Sequence, residues 1–139
     1  MNGLLNVSES AFLALHGMVI LAKKTPKKVR IIEIAEELKA SVAHLAKVFQ
    51  RLQKSGLIKS VRGPYGGYFL SLPPEKISFL DIYEALENKV NLEKCPFGKD
   101  ECMYDECIFD KRIKDLAHQV YQTFSQIKLS DYIKTDINE

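Results

Sequence analysis

The sequence predicts a mainly α-helical fold carrying one small β-hairpin, on three observations. Apolar residues recur at steps of three and four through 8–22, 31–38, 41–54 and 78–86, the period of helices with one buried face. Two short alternating segments, Leu57–Arg62 and Tyr68–Leu72, flank Gly63-Pro64-Tyr65-Gly66-Gly67, which has the composition of a hairpin turn. Finally, Ile113, Leu116, Ala117, Val120, Phe124 and Ile127 mark an amphipathic helix of about five turns.

The first helix, 8–22, can be capped by Ser8 or Ser10. Phe12, Leu15, Val19 and Ala22 form its expected apolar face, broadened by Leu13 and Ile20, and Lys23, Lys24, Thr25 and Pro26 end it. A short helix over 31–38 buries Ile31, Ile34, Ala35 and Leu38. After a turn at Lys39–Ala40, Ser41 stands at the N-cap of a helix running to about Lys54. That helix is expected to bury Val42, Leu45, Val48, Phe49 and Leu52 and to carry Lys47, Gln50, Arg51 and Lys54 outward. Ser55-Gly56 stops it, glycine taking the left-handed conformation without penalty. Two short helices joined by a tight turn form a helix-turn-helix pattern, although many small bundles share that periodicity. A hairpin directly after it makes the pattern specific: it is the wing of a winged helix-turn-helix domain. Lys59 and Arg62, before and beside its tip, are suited to phosphates or a minor groove. Pro73-Pro74 breaks the strand, and a helix over Ser78–Leu86 follows with Phe79, Ile82, Tyr83 and Leu86 as its apolar face.

Residues 95–107, Cys95-Pro-Phe-Gly-Lys-Asp-Glu-Cys102-Met-Tyr-Asp-Glu-Cys107, favour a loop. The helix beyond it has more apolar surface than a small winged domain can cover. Burial against a second copy of the chain is therefore expected, packing back on its own domain being the alternative. The organisation read from the sequence is a winged helix-turn-helix domain at 1–90, a cysteine loop at 91–110, and a dimerisation helix with its tail at 111–139.

Residues 23–62 carry 11 Lys/Arg against 3 Asp/Glu and residues 75–110 carry 4 against 10, so a basic block precedes an acidic one. This polarity suggests a nucleic-acid-facing part followed by a part with another task. The 46% hydrophobic and 27% charged content excludes a disordered or fibrous chain. No apolar run approaches the roughly 18–20 residues of a membrane span, and no basic-then-apolar leader opens the chain. A soluble, cytoplasmic protein is expected, with no membrane partner. Three cysteines confined to 13 residues (95–107) make an odd, tight set, which points to metal ligation or thiol chemistry over a disulfide scaffold.

Across residues 41–86 the sequence becomes specific. Leu45, Phe49, Leu52, Ser55-Gly56-Leu57-Ile58, Ser60-Val61-Arg62-Gly63-Pro64, Gly66-Gly67-Tyr68, Leu70, Ile77 and Asp81-Ile82-Tyr83-Glu84-Ala85-Leu86-Glu87 resemble the Rrf2 family of bacterial winged-helix transcription regulators. The resemblance extends from the first helix to Leu129-Ser130-Asp131-Tyr132-Ile133. It implies a homodimer that presents two recognition helices to a pseudo-palindromic operator in double-stranded DNA. On this chain the recognition helix offers Ser41, Ala43, His44, Lys47, Gln50 and Arg51, with specificity falling on His44, Lys47 and Gln50. The wing offers Lys59, Arg62, Gly63 and Tyr65, Arg62 being the residue expected in the minor groove.

The cysteine segment is similar to that of the sensing members, which implies an iron–sulfur cluster, 2Fe–2S or 4Fe–4S, held by Cys95, Cys102 and Cys107. Soft thiolates suit iron. The spacing is C-x6-C-x4-C, its second gap slightly short for those members. In one branch of the family a histidine stands three residues after the third cysteine; here that position is Asp110, the expected fourth ligand. Glu9, Asp105, Glu106, His16 and an exogenous thiol or water are the alternatives. His16 and His118 are expected to be structural or idle, and His44 to face DNA.

Two other readings stand beside this one. Zinc or a thiol–disulfide switch could occupy the same cysteines, although structural zinc favours C-x2–4-C pairs. Asp100, Glu101, Asp105 and Glu106 are expected to raise the cysteine pKa values, which disfavours a dedicated reactive thiol. The other reading is a cluster-handling or electron-transfer protein that does not bind DNA. An enzyme is not expected: no nucleophile–base pair, phosphate-binding glycine loop or convergent acid pair is present.

Overall fold

A computed structural model describes residues 7–97, 99 and 101–133. Asp100 and the tail after residue 133 therefore lie outside the described residues. The order is α1 (Glu9–Lys24), α2 (Ile31–Leu38), α3 (Val42–Lys54), β1 (Ile58–Val61), β2 (Gly67–Leu70), α4 (Phe79–Glu87) and α5 (Arg112–Gln126), with short 3-10 turns at Pro74–Lys76 and Leu129–Tyr132.

Three serines start three helices: Ser8, one of the two caps expected for α1, Ser41 as expected, and Ser78, which the sequence counted into α4 itself. Ser8 Oγ accepts the Ala11 N–H, Ser41 Oγ the His44 N–H and Ser78 Oγ the Asp81 N–H, each satisfying a donor that the first helical turn leaves open. Asp81 reciprocates by accepting the Ser78 N–H, completing a capping box. Gly56 ends α3 at φ +83°, as its place after Ser55 required. The strands pair antiparallel with Ile58 opposite Leu70 and Val61 opposite Gly67.

The core forms where α1, α3 and α4 meet, around Met18, Leu21, Ile34, Leu45, Phe49, Leu52, Ile58, Ile77 and Ile82. Phe49 is completely buried. A Cβ on Gly17 would stand 2.7 Å from the Phe49 ring, so the glycine is what lets α1 and α3 approach. The apolar face expected for α1 is corrected here. Phe12 is exposed and lies against the His16 ring, while Ala11, Ala14, Met18 and Leu21 are buried. The helix is covered on several sides, so a single stripe does not describe it. Val42 likewise lies outside the core. In α4, Leu80, Ile82 and Leu86 enter the core, whereas Phe79 and Tyr83 meet Phe124 of α5 edge-on.

That contact anchors only the C-terminal end of α5. No residue of α5 is buried, and Leu116 and Val120 are 54% and 38% exposed on the apolar stripe. After α5 the chain returns to the domain: Leu129 is completely buried, and Lys128 bridges to Ser78.

Candidate nucleic-acid interface and cysteine site

Ser41, Lys47 and Gln50 are exposed on α3 and His44 is half-buried, while Lys59, Arg62, Gly63 and Tyr65 are exposed along the wing. The recognition helix and the wing are joined directly, Gln53 Nε2 donating to Ser60 Oγ at 3.2 Å. Cations and hydrogen-bonding side chains thus line α3 and the hairpin beside it, an arrangement able to hold phosphates and to offer base-reading groups.

Both ends of α3 are keyed to other elements. His44 Nε2 lies 3.3 Å from Ser10 Oγ of α1. Farther along, the Arg51 guanidinium donates through Nη2 to the Leu86 carbonyl in the last turn of α4. Ser8 Oγ donates to the Glu87 carboxylate in that same turn, and Glu84 accepts the Val90 N–H just beyond it. The end of α4, from which the cysteine segment departs, therefore holds the recognition helix through Arg51 and the start of α1 through Ser8. These partners lie 35 and 79 residues apart, and no local pattern signals them.

The three cysteines are free thiols, Cys95 half-buried and the other two exposed. All three line one cavity of about 230 Å³, whose walls include Phe97, Met103, Tyr104, Ile108 and Phe109. The Phe97 and Phe109 rings lie 5.2 Å apart. Among the described residues no three His, Cys, Asp or Glu side chains converge closely enough to hold a metal ion in this conformation. The donor chemistry still fits a thiolate-bound metal group: three sulfurs on one mostly apolar wall, on a segment without regular structure.

Asp110 does not line that cavity. Its carboxylate accepts from Arg112 Nη2 at 3.0 Å and from the Arg112 N–H at 2.9 Å. The Arg112 guanidinium first, and then the Arg112 and Lys111 N–H groups, hold its pKa below the usual carboxylate range. His16 is exposed, its Nδ1 2.8 Å from the Phe12 carbonyl oxygen within its own helix, and His118 is exposed on α5.

The expected rise in cysteine pKa is corrected at Cys95, whose thiol is pushed down. The N–H groups of Phe97 and Lys99 stabilise the thiolate, with the Lys99 and Lys114 charges adding to them. Local backbone donors outweigh the acidic composition of the segment, which sequence counting could not show.

The sequence reading did not single out Arg30, whose Nη2 donates to the Pro64 carbonyl at the wing tip, or Val29, which bridges to Tyr68 of β2. The only signal was the basic run Lys27-Lys28-Val29-Arg30.

Among the described residues no helix is long and apolar enough to cross a membrane. Residues 7–135 match the Rrf2 family model, described as an iron-dependent transcriptional regulator. The chain is 30% identical over 130 residues to the HTH-type transcriptional regulator IscR of Cereibacter sphaeroides, covering 91% of this chain and 84% of that one. Among solved structures, CymR, the global cysteine regulator of B. subtilis, is similar with a TM-score of 0.73 at 30% identity, covering 94% of this chain and 97% of that one. IscR of T. potens is similar with a TM-score of 0.77 at 26% identity, covering 95% and 88%. With the helix-turn-helix and its wing in place and the family match running from the start of α1 past the second 3-10 turn, this chain belongs to the Rrf2 family of transcriptional regulators.

Proposed function

We propose that this Rrf2-family regulator acts as a cytoplasmic homodimer on a pseudo-palindromic DNA operator, its affinity set by an iron–sulfur cluster held by Cys95, Cys102 and Cys107. The observation that carries this reading is the placement of the thiols. Three free sulfurs share one cavity on the segment between α4, which holds the recognition helix, and α5, whose apolar stripe is uncovered.

Each part has a physical role. The apolar stripe of α5 supplies a self-complementary surface, and twofold symmetry then sets two copies of α3 for successive major grooves. Ser41, His44, Lys47 and Gln50 face base edges and backbone from α3, and Lys59, Arg62, Gly63 and Tyr65 extend the grip from the wing. Arg51 stands on the same helix and ties it to Leu86. A bound cluster would supply a covalent tie among the three thiolates that is made or lost with iron and sulfide supply or oxidation. Drawing the cysteines together would displace the segment that leaves α4. Through Arg51 and Ser8 such a displacement reaches the recognition helix and α1. A bias of about 1–3 kcal/mol between two arrangements suffices to change occupancy severalfold to a hundredfold. Arg112, which holds both oxygens of Asp110, would have to share or give up that hold for Asp110 to complete the ligand set.

One observation favours a second reading, a thiol switch at the same cavity: the depressed pKa of Cys95 keeps more thiolate available near neutral pH.

Anaerobic purification, with absorbance and Mössbauer spectra and iron and sulfide assays, tests the proposal when repeated on Cys102→Ala. Visible absorbance with matched iron and sulfide, lost in the variant, is expected. A protein that stays colourless and iron-free after anaerobic reconstitution sinks the cluster reading. DNA binding that then changes on mild oxidation supports the thiol switch.

A further inference from the structure

The segment before α2 is built onto the wing. Val29 N–H donates to the Tyr68 carbonyl at 2.9 Å and Tyr68 N–H donates back at 2.7 Å, a bridge that adds one residue along the edge of β2 not paired with β1. Gly67 permits it: a Cβ there would stand 2.8 Å from the Val29 carbonyl, and its φ of +146° disfavours other residues. Arg30 fastens the other side by donating to Pro64. Between loop and wing tip runs an open cleft lined by Pro26, Lys27, Lys28, Arg30, Pro64 and Tyr65, with Glu33 as its one acidic neighbour. Lys28 Nζ lies 6.0 Å from the Phe69 ring centre, and among the described residues neither Lys27 nor Lys28 pairs with a carboxylate. Lys24, by contrast, is paired with Glu37 at 3.6 Å.

We propose that the 26–30 loop is a second phosphate-gripping edge of the DNA surface, with Lys27 and Lys28 taking duplex backbone phosphates beside the groove that the wing tip enters. The inference rests on the DNA-binding reading above and adds to it a surface outside the helix-turn-helix and the wing. The geometry supports it on two counts. The loop is hydrogen-bonded to the wing, so its cations border one cleft with the wing-tip residues Pro64 and Tyr65. The cleft is also open, its cations suited to a polyanion and its walls too shallow for an enclosed ligand. Phosphate contacts of this kind add affinity without sequence preference.

The test compares wild type, Lys27→Ala/Lys28→Ala and Lys27→Arg/Lys28→Arg on an operator duplex and a scrambled duplex over a range of salt. Each phosphate contact contributes about 0.9 to the slope of log K against log salt, so the alanine pair, which removes two contacts per protomer and four per dimer, should flatten it by roughly 3.6. Affinity at about 0.1 M salt should fall on the order of tenfold or more, by a similar factor on both duplexes, with the arginine pair close to wild type. Both lysines are exposed, so thermal unfolding should match wild type. An unchanged slope and affinity in the alanine pair overturns the inference, and so does a loss confined to the operator, which would mean base reading. Wild type without salt-dependent binding to either duplex overturns the DNA-binding reading itself.

Discussion

Replacing Leu116 and Val120 together by aspartate is expected to make the protein monomeric and to weaken operator binding by about 100-fold or more, toward the non-specific level. Both side chains are exposed in the single chain, so the substitution buries no charge there and leaves the winged domain folded. In a symmetric dimer each change counts twice, placing four carboxylates in one apolar seam. A lone protomer reaches one half-site and forfeits the second recognition helix. His118→Asp with Gln122→Asp is the matched control, since those residues are exposed on the opposite side of α5 and cost the helix the same propensity. Sedimentation or light scattering beside operator titration reads both effects. A dimer that survives the Leu116/Val120 pair would move the interface off α5.

Phe49→Ala is the second large effect. The ring is completely buried, meets Tyr68 of the wing edge-on at 5.0 Å, and packs where Gly17 has left room for it. Truncation leaves a cavity beneath the recognition helix, and such losses cost about 3–5 kcal/mol. Small domains hold about 5–15 kcal/mol in all, so a large part of the stability goes. The urea midpoint, at fixed protein concentration because association adds to stability, should fall sharply. A loss below about 1 kcal/mol would mean that α1 and α3 close over the gap, which the Gly17 contact argues against.

The contrast between those two positions shows what the sequence made legible. Phe49 stood out because Leu45, Val48 and Leu52 share its helical face, and Gly56 and the serine caps bounded its helix. The wing was legible because glycine and proline fill four of the five positions 63–67. Phe12 misled because α1 is covered on several sides, so a single-stripe reading took an exposed aromatic for core and passed over Met18. The α5 stripe was legible as apolar and as more than one winged domain can cover, but its anchor was not, since the Phe124 contacts with Phe79 and Tyr83 join elements that no period links.

The cysteine site was legible only as a set. Three thiols within 95–107 pointed to metal ligation or thiol chemistry, but the segment has no period, so the shared cavity and its aromatic wall appear only in three dimensions. The same holds for Arg51 and Arg30, whose partners are backbone carbonyls 35 and 34 residues away. A backbone acceptor leaves no trace in side-chain identity. Asp110 was chosen for its place after Cys107, and its tie to Arg112, two residues on, is the kind of local competition that position alone does not weigh.

The proposed coupling between the cysteine cavity and the recognition helix is tested most directly by one affinity measured in three states. Anaerobically purified protein, its cluster content fixed by iron and sulfide assay, is titrated with a duplex selected from a random pool. The titration is repeated after the cluster is removed and again after reconstitution. A change of about tenfold or more, equivalent to about 1.4 kcal/mol and reversed on reconstitution, is expected. Equal affinity in all three states, with the cluster verified in the first and last, would contradict control of DNA binding by this site.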